Sequence, residues 1–234
     1  MNIVITGTSK GIGVEIVKIL CKHKGNHIVA ISRSGDGLRR LVNECTKINP
    51  DAKILPAEFD LSQYEFYPFL FQKIERFFLH CDILINNAGK LYNKSIEKTD
   101  PQDFDDIFNI NVKSVFFLSQ LLLPIMSTGA HILNIGSIGG IQGSKKFAGL
   151  SAYSASKGAV AVLSEALAEE LKERGIRVNC LALGAVQTEM FEKAFPGQKA
   201  LQSPPQIAQF VVDFALTGHK FMNGKIIPVS LSVP

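Results

Sequence analysis

Short apolar runs alternate along this chain with longer stretches whose apolar positions recur every three or four residues. The runs at 3–6, 27–32, 52–58, 82–86, 131–135, 177–182 and 225–229 read as strands. Between them, 11–23, 36–47, 64–79, 101–126, 152–174 and 205–216 carry helical spacing. Alternation of this kind predicts an α/β fold: a Rossmann-like, doubly wound parallel sheet of about seven strands with helices on both faces. Ile83-Leu84-Ile85 and Ile132-Leu133 are apolar on consecutive residues, as strands buried on both sides must be. No repeat, low-complexity run or linker divides the chain, so residues 1–234 read as one domain, a length that a single core accommodates.

Two helical stretches carry more apolar surface than one sheet face can use. Phe116, Phe117, Leu118, Leu121, Leu122 and Leu123 cannot all point one way at 3.6 residues per turn. The stretches 101–126 and 152–174 therefore predict a second partner, a homodimer built on these helices. The aromatic-rich stretch 64–79, with Phe66, Tyr67, Phe69, Phe71, Phe77 and Phe78, reads as a covering helix; Glu65 and Glu75 interleaved with the rings argue against a base-stacking platform. The longest apolar-rich segment, 115–126, is broken by Ser119, Gln120 and Pro124, so no membrane span is expected. The chain opens directly into a strand with no basic leader, which predicts a cytoplasmic protein.

Charge and cysteine usage narrow the classes. A net charge of +4, with Lys and Arg scattered, falls short of a nucleic-acid-binding surface. Cys21, Cys45, Cys81 and Cys180 have no Cys-x-x-Cys spacing and read as buried thiols in a reducing compartment. The five histidines form no cluster, and no metal is expected.

The first strand runs into Thr6-Gly7-Thr8-Ser9-Lys10-Gly11-Ile12-Gly13 and then a helix. Glycines there allow a tight turn and close approach of backbone to a pyrophosphate, which the helix N-terminus then faces with free N–H groups. An acid about 20 residues further on would hold the ribose 2′-hydroxyl of NAD. The residue 20 positions after Gly13 is Arg33. A guanidinium there, with Lys10 in the turn, favours a 2′-phosphate, so NADP(H) is expected over NAD(H). Tyr153 and Lys157, four residues apart on a helix, share one face. An ammonium beside a phenol is expected to lower the phenol's pKa from about 10 and suit it to moving a proton at an oxygen.

These motifs, with Asp60 after the third strand, Asn86-Asn87-Ala88-Gly89 after the fourth, Asn111 in the long helix and Ser137 after the fifth, stand in an order that resembles the short-chain dehydrogenase/reductase family along nearly the whole chain. The resemblance implies that Asp60 and Leu61 contact the adenine and that Asn87, Ala88 and Gly89 border its ribose. It implies that Gly184, Val186 and Thr188 hold the nicotinamide amide and that Lys157 also holds the nicotinamide ribose. It gives Ser137 the task of orienting a substrate carbonyl, Tyr153 that of proton donor, and Asn111 that of anchoring a water on the way to Lys157. The implied activity is interconversion of a small-molecule carbonyl and an alcohol.

The chain also departs from that family. Leu183-Gly184 replaces the usual Pro-Gly; the stretch between Ser137 and Tyr153 is a few residues longer, around 142–149; and the end, 228–234, lacks Asp-Gly-Gly, which puts a tetramer in question. The segment 189–205 is expected to cover the substrate, as a mobile lid or a disordered loop. A competing reading is a cofactor-sensing protein without catalysis, since fold does not fix function; such a protein has no need of Ser137, Tyr153 and Lys157 together. A sugar-nucleotide epimerase or dehydratase needs more chain beyond the fold than this length allows. The substrate itself stays open among 3-oxoacyl thioesters, steroid-like ketones, sugars and small aldehydes.

Overall fold

The structure is a computed structural model that describes residues 1–231, so the last three residues of the tail considered above lie outside it. All seven expected strands form: β1 Asn2–Thr6, β2 His27–Ser32, β3 Lys53–Glu58, β4 Ile83–Asn86, β5 His131–Ser137, β6 Arg177–Leu183 and β7 Ile226–Val229. They pair in parallel in the order β3-β2-β1-β4-β5-β6-β7. The order reverses between β1 and β4, and the carboxyl ends of those two strands open a crevice where ligands bind in such sheets.

Eight helices cover the sheet among the described residues: α1 Gly11–Leu20, α2 Gly35–Ile48, α3 Tyr67–Phe77, α4 Pro101–Phe108, α5 Ser114–Leu122, α6 Ser151–Glu170, α7 Glu189–Ala194 and α8 Pro204–Thr217. Strand side chains alternate between two cores. Ile3 and Ile5 pack with Ile16 and Leu20 of α1, Leu38 and Leu41 of α2 and Val211 of α8. Val4 points the other way, among Leu70 and Ile74 of α3, Leu118 and Leu122 of α5 and Leu167 of α6. Each such side chain, fully buried, is worth about 1.5–3 kcal/mol relative to exposure. Helix starts follow local chemistry: Ser34 Oγ accepts from Gly37 N, and Asp100 with Asp103 closes a capping box before Pro101.

Three expectations change. The stretch 101–126 is not one α-helix: a π-helical turn, Asn109–Lys113, separates α4 from α5, and a 3₁₀ turn, Leu123–Ile125, follows. The wider turn carries Asn111 into the interior, where it is fully buried. Taken as one helical stretch, Pro101–Ile125 has the length and composition that a membrane span needs, as core helices also do, and here Leu118 and Leu122 pack on the sheet. The aromatic helix is only partly core: Tyr67 and Phe78 are buried, whereas Phe66 and Phe69 stay exposed. Helix α7 was not expected at all.

At the amino end of β5, His131 is wholly buried. Its Nδ1 lies 3.0 Å from Ala215 O, to which it donates, and Asn179 Nδ2 lies 3.2 Å from its Nε2 and donates to it. Both ring nitrogens are thus satisfied in the neutral form, and burial pulls the pKa down to about 4. The unfolded chain takes up this proton near pH 6.5, the folded one only near 4, so stability falls as pH drops through that window. The loss reaches on the order of 3 kcal/mol at pH 4. Urea midpoints measured from pH 7 to 4.5 should fall more steeply for the wild type than for His131→Gln; parallel slopes would contradict this.

Candidate active site

The turn after β1 needs its glycines for space as well as conformation. Gly7 and Gly11 have φ of 73° and 62°. A β-carbon on Gly13 would lie 2.2 Å from Gly7 O, and one on Gly7 would lie 2.9 Å from Ala88 Cα. Asn87 Nδ2 donates to Thr6 O (2.9 Å) and Gly7 O (3.2 Å), while Thr6 Oγ1 accepts from the backbone N–H groups of Asn87 (3.0 Å) and Ala88 (2.9 Å). The motif after β4 therefore braces the glycine turn. At the start of α1, Lys10 offers no capping acceptor, and the first turn, with Ser9, Gly11, Ile12 and Gly13 around it, has no acid. Free N–H groups and the helix dipole face an anion there. The cradle fits a dinucleotide pyrophosphate.

Arg33 stands exposed just past β2, and no ion pair engages it among the described residues. Lys10 is not the free cation that the sequence suggests: its Nζ lies 3.2 Å from Glu189 Oε2 of α7, across the cleft mouth. A cleft of about 340 Å³ runs here, lined by Ser9, Lys10, Gly11, Arg40 and Glu189 among others. Arg40 escaped the sequence reading. The signal was its position three residues after Gly37, which packs on Ser9 (a β-carbon would lie 2.6 Å from Ser9 Cβ). Against these cations, the Glu58 carboxylate closes on Gly35, where a β-carbon would lie 2.2 Å from Oε2.

Asp60 caps its own turn: Oδ1 accepts from Ser62 N (2.9 Å) and Ser62 Oγ (2.8 Å). Leu61 buries its side chain in the core, and its carbonyl accepts from the Tyr67 hydroxyl (3.0 Å). Contact of Leu61 with an adenine is thereby limited to its backbone N–H.

The four residues singled out for chemistry converge. Ser137 ends β5, and its hydroxyl stands beside the Tyr153 phenol, near enough to favour the phenolate. One helical turn on, the Lys157 Nζ donates to Ile135 O (2.8 Å) and lies 5.9 Å from the Tyr153 ring centroid. Gly89 sits over both Lys157 and Asn111: a β-carbon on it would lie 3.6 Å from Lys157 Nζ and from Asn111 Oδ1. Asn111 is held by Lys90, whose N–H donates to Oδ1 (2.7 Å) and whose carbonyl accepts from Nδ2 (2.9 Å). Its Nδ2 also donates to Ser156 Oγ (2.9 Å), which in turn donates to Tyr153 O (2.7 Å). The side chain of Asn111 is fully engaged in shaping the site. Ser156 is a second residue that sequence reasoning missed.

The electrostatics correct one expectation. Burial raises the Tyr153 pKa above its ordinary value, and the neighbouring Ser137 hydroxyl only partly opposes this. Lys157 does not lower it from across the ring. Burial instead brings Lys157 itself down to about 8, which still leaves it mostly an ammonium at neutral pH. The site holds a protonated phenol beside a lysine close to its own titration point.

At the opposite wall, Gly11 and Thr188 meet: a β-carbon on Gly11 would lie 3.5 Å from Thr188 Cγ2. Thr188 Oγ1 caps α7 by accepting from Phe191 N (3.2 Å). Val186 is buried and bridges to Gln202. Gly184 donates its N–H to Val229 O (2.9 Å) and leaves no room for a side chain, since a β-carbon would lie 2.5 Å from Ser230 Oγ. Leu183 extends β6 opposite Ser137 and Val229, a ladder place that a proline could not fully fill. The longer segment before Tyr153 packs against the end of α7 and the stretch after β4. Phe147 packs on Phe195 (centroids 6.0 Å), Lys94 N donates to Gly149 O (3.0 Å), and Asn93 Nδ2 donates to Ala194 O (2.6 Å). The segment expected to be a loose lid starts as helix α7 and is tied down by Asn93. Among the described residues no group of three or more His, Cys, Asp and Glu is placed to hold a metal ion.

Comparison with known proteins agrees with this fold. An uncharacterized oxidoreductase of Staphylococcus aureus (strain N315) is 29% identical over 228 residues, covering 97% of this chain and 95% of that protein. The 3-oxoacyl-[acyl-carrier-protein] reductase of Thermotoga maritima is 28% identical over 96% of this chain and 94% of its own length. A short chain dehydrogenase of Escherichia coli CFT073, solved with NADPH, superposes with a TM-score of 0.88 at 28% identity, covering 97% of this chain and 95% of that one. The short chain dehydrogenase family matches residues 1–199. The chain belongs to the short-chain dehydrogenase family of oxidoreductases.

Proposed function

We propose that the protein is an NADP(H)-dependent oxidoreductase that interconverts a carbonyl and an alcohol and works in the reductive direction. The observation that carries this is the convergence of Ser137, Tyr153 and Lys157, with Ser137 beside the phenol and the Lys157 Nζ 5.9 Å from the Tyr153 ring centroid. The phosphates would lie on the turn from Gly7 to Gly13 and the N-terminus of α1, with the 2′-phosphate towards Arg33 and Arg40. Asp60, the N–H of Leu61 and the Asn87-Ala88-Gly89 turn would border the adenosine, and Gly184, Val186 and Thr188 the nicotinamide amide. When bound, the nicotinamide supplies hydride to the substrate carbon. The chain's own residues do the rest. The Ser137 hydroxyl orients the carbonyl oxygen. The Tyr153 phenol, which burial keeps protonated, gives that oxygen its proton as negative charge develops. Lys157, still mostly an ammonium, would hold the nicotinamide ribose beside it.

Two relatives support the reading from outside the chain: one is solved with NADPH and one is named for reduction of a 3-oxoacyl group. A homodimer belongs to the same proposal, since Phe104, Phe116 and Val162 on α4, α5 and α6 stay exposed in the single chain. The test is a panel of 3-oxoacyl thioesters, cyclic ketones, sugars and small aldehydes, followed by loss of NADPH absorbance. Turnover of at least one panel member is expected. NADPH binding without turnover of any would favour the sensor.

A further inference from the structure

Cys21 and Cys45 take no part in the proposed reaction. Cys21 ends α1, and Cys45 lies in the last turns of α2. The two side chains lie in one core cluster across the helix interface, near enough to influence each other's titration, and the Cys21 thiol donates to Lys18 O (3.2 Å). Their backbones are pinned by a single residue: Asn49 donates its N–H to Cys45 O (2.8 Å) and its side-chain Nδ2 to Cys21 O (2.8 Å). The ion pair between Lys18 and Glu44 (3.4 Å) crosses the same two helices beside them. Cys81 and Cys180 belong to other packing clusters. Cys21 and Cys45 are almost fully buried, yet Cys21 leads directly into the exposed stretch 22–25, the side from which an oxidant would reach it on local opening.

We propose that Cys21 and Cys45 form a redox dithiol that closes to an intramolecular disulfide under a hydroperoxide and joins the carboxyl ends of α1 and α2. Cys21 is the attacking sulfur: the neighbouring Cys45 thiol draws its pKa down against the effect of burial, and Lys22 and Lys18 add to this. Its thiolate attacks the peroxide, the O–O bond breaks, and the leaving oxygen departs as an alcohol or water, with Cys21 now a sulfenic acid. The Cys45 sulfur then displaces the hydroxyl from Cys21, which leaves as water with the Cys45 proton. Two thiols lose two electrons and the hydroperoxide gains them. The neighbouring thiols have to turn towards each other, Cys21 giving up its bond to Lys18 O, and close to a bond of about 2.05 Å. The step does not depend on the function proposed above, and its readout is independent of turnover.

The experiment treats the folded protein with hydrogen peroxide and measures intact mass and free thiols under denaturing, non-reducing conditions. The expected result is loss of two hydrogens in mass, a thiol count falling from the four free cysteines to half that number, and a Cys21–Cys45 peptide that a dithiol reductant splits. In Cys45→Ser, Cys21 should instead gain one oxygen and yield no intramolecular bridge. If that variant fails to fold, Cys21→Ser provides the reciprocal control, with Cys45 left unoxidised. An unchanged thiol count, a bridge to Cys81 or Cys180, or oxygen added at Cys21 in the wild type without disulfide would overturn the proposal.

Discussion

Tyr153→Phe should lower carbonyl reduction by roughly 10²–10⁴-fold, the range that a positioned general acid contributes. The substitution removes one hydroxyl and keeps the ring. The ring stays on the same turn of α6, and the Lys157 Nζ keeps its bond to Ile135 O. What disappears is the hydroxyl beside Ser137 and the proton that the phenol would give. Neither helps to hold the fold or the glycine turn, whose braces are Thr6 and Asn87. NADPH affinity should therefore change little. The sequence contains no tryptophan, so titration by the fluorescence of the reduced nicotinamide meets little protein background. Near-normal turnover in the variant would end the assignment of Tyr153. A large loss of NADPH binding would mean that the ring supports the cofactor rather than the chemistry.

The same residues mark what could be read in advance and what could not. Strands buried on both faces declare themselves in runs such as Ile83-Leu84-Ile85, and all seven were legible. The glycine turn was legible because no other residue fits: contacts of 2.2 and 2.9 Å at Gly13 and Gly7 are fixed by backbone, which cannot give way. The break in the long helix was not legible. Helical periodicity is nearly blind to one extra residue in a turn, yet that residue decides where Asn111 points. Pairings between distant segments were equally hidden. Nothing near Lys10 in sequence announces Glu189, and nothing near Asn93 announces Ala194. The pKa of Tyr153 was misjudged for a related reason. Spacing gives the neighbour, whereas burial, which only the tertiary structure supplies, sets the larger effect.

Arg33→Ala should weaken NADPH binding by roughly 10–100-fold, since a hydrogen bond to a charged group is worth about 1.5–3 kcal/mol. NADH, which has no 2′-phosphate, should be affected far less. The substitution is clean because Arg33 is exposed just past β2 and holds no carboxylate among the described residues. No buried partner is left unpaired, and stability should stay within about 0.5 kcal/mol of wild type. The neighbouring charges set the contrast. Lys10 is partly neutralised by Glu189, both side chains being more than half exposed, so Lys10→Ala should cost less than Arg33→Ala. The Glu58 carboxylate over Gly35 acts in the other direction: it disfavours a phosphate nearby, so Glu58→Gln should strengthen NADPH relative to NADH. Dissociation constants for both cofactors across these variants would separate the contributions. A wild type that prefers NADH, or an Arg33→Ala variant that loses both cofactors equally, would remove the 2′-phosphate from this corner of the cleft.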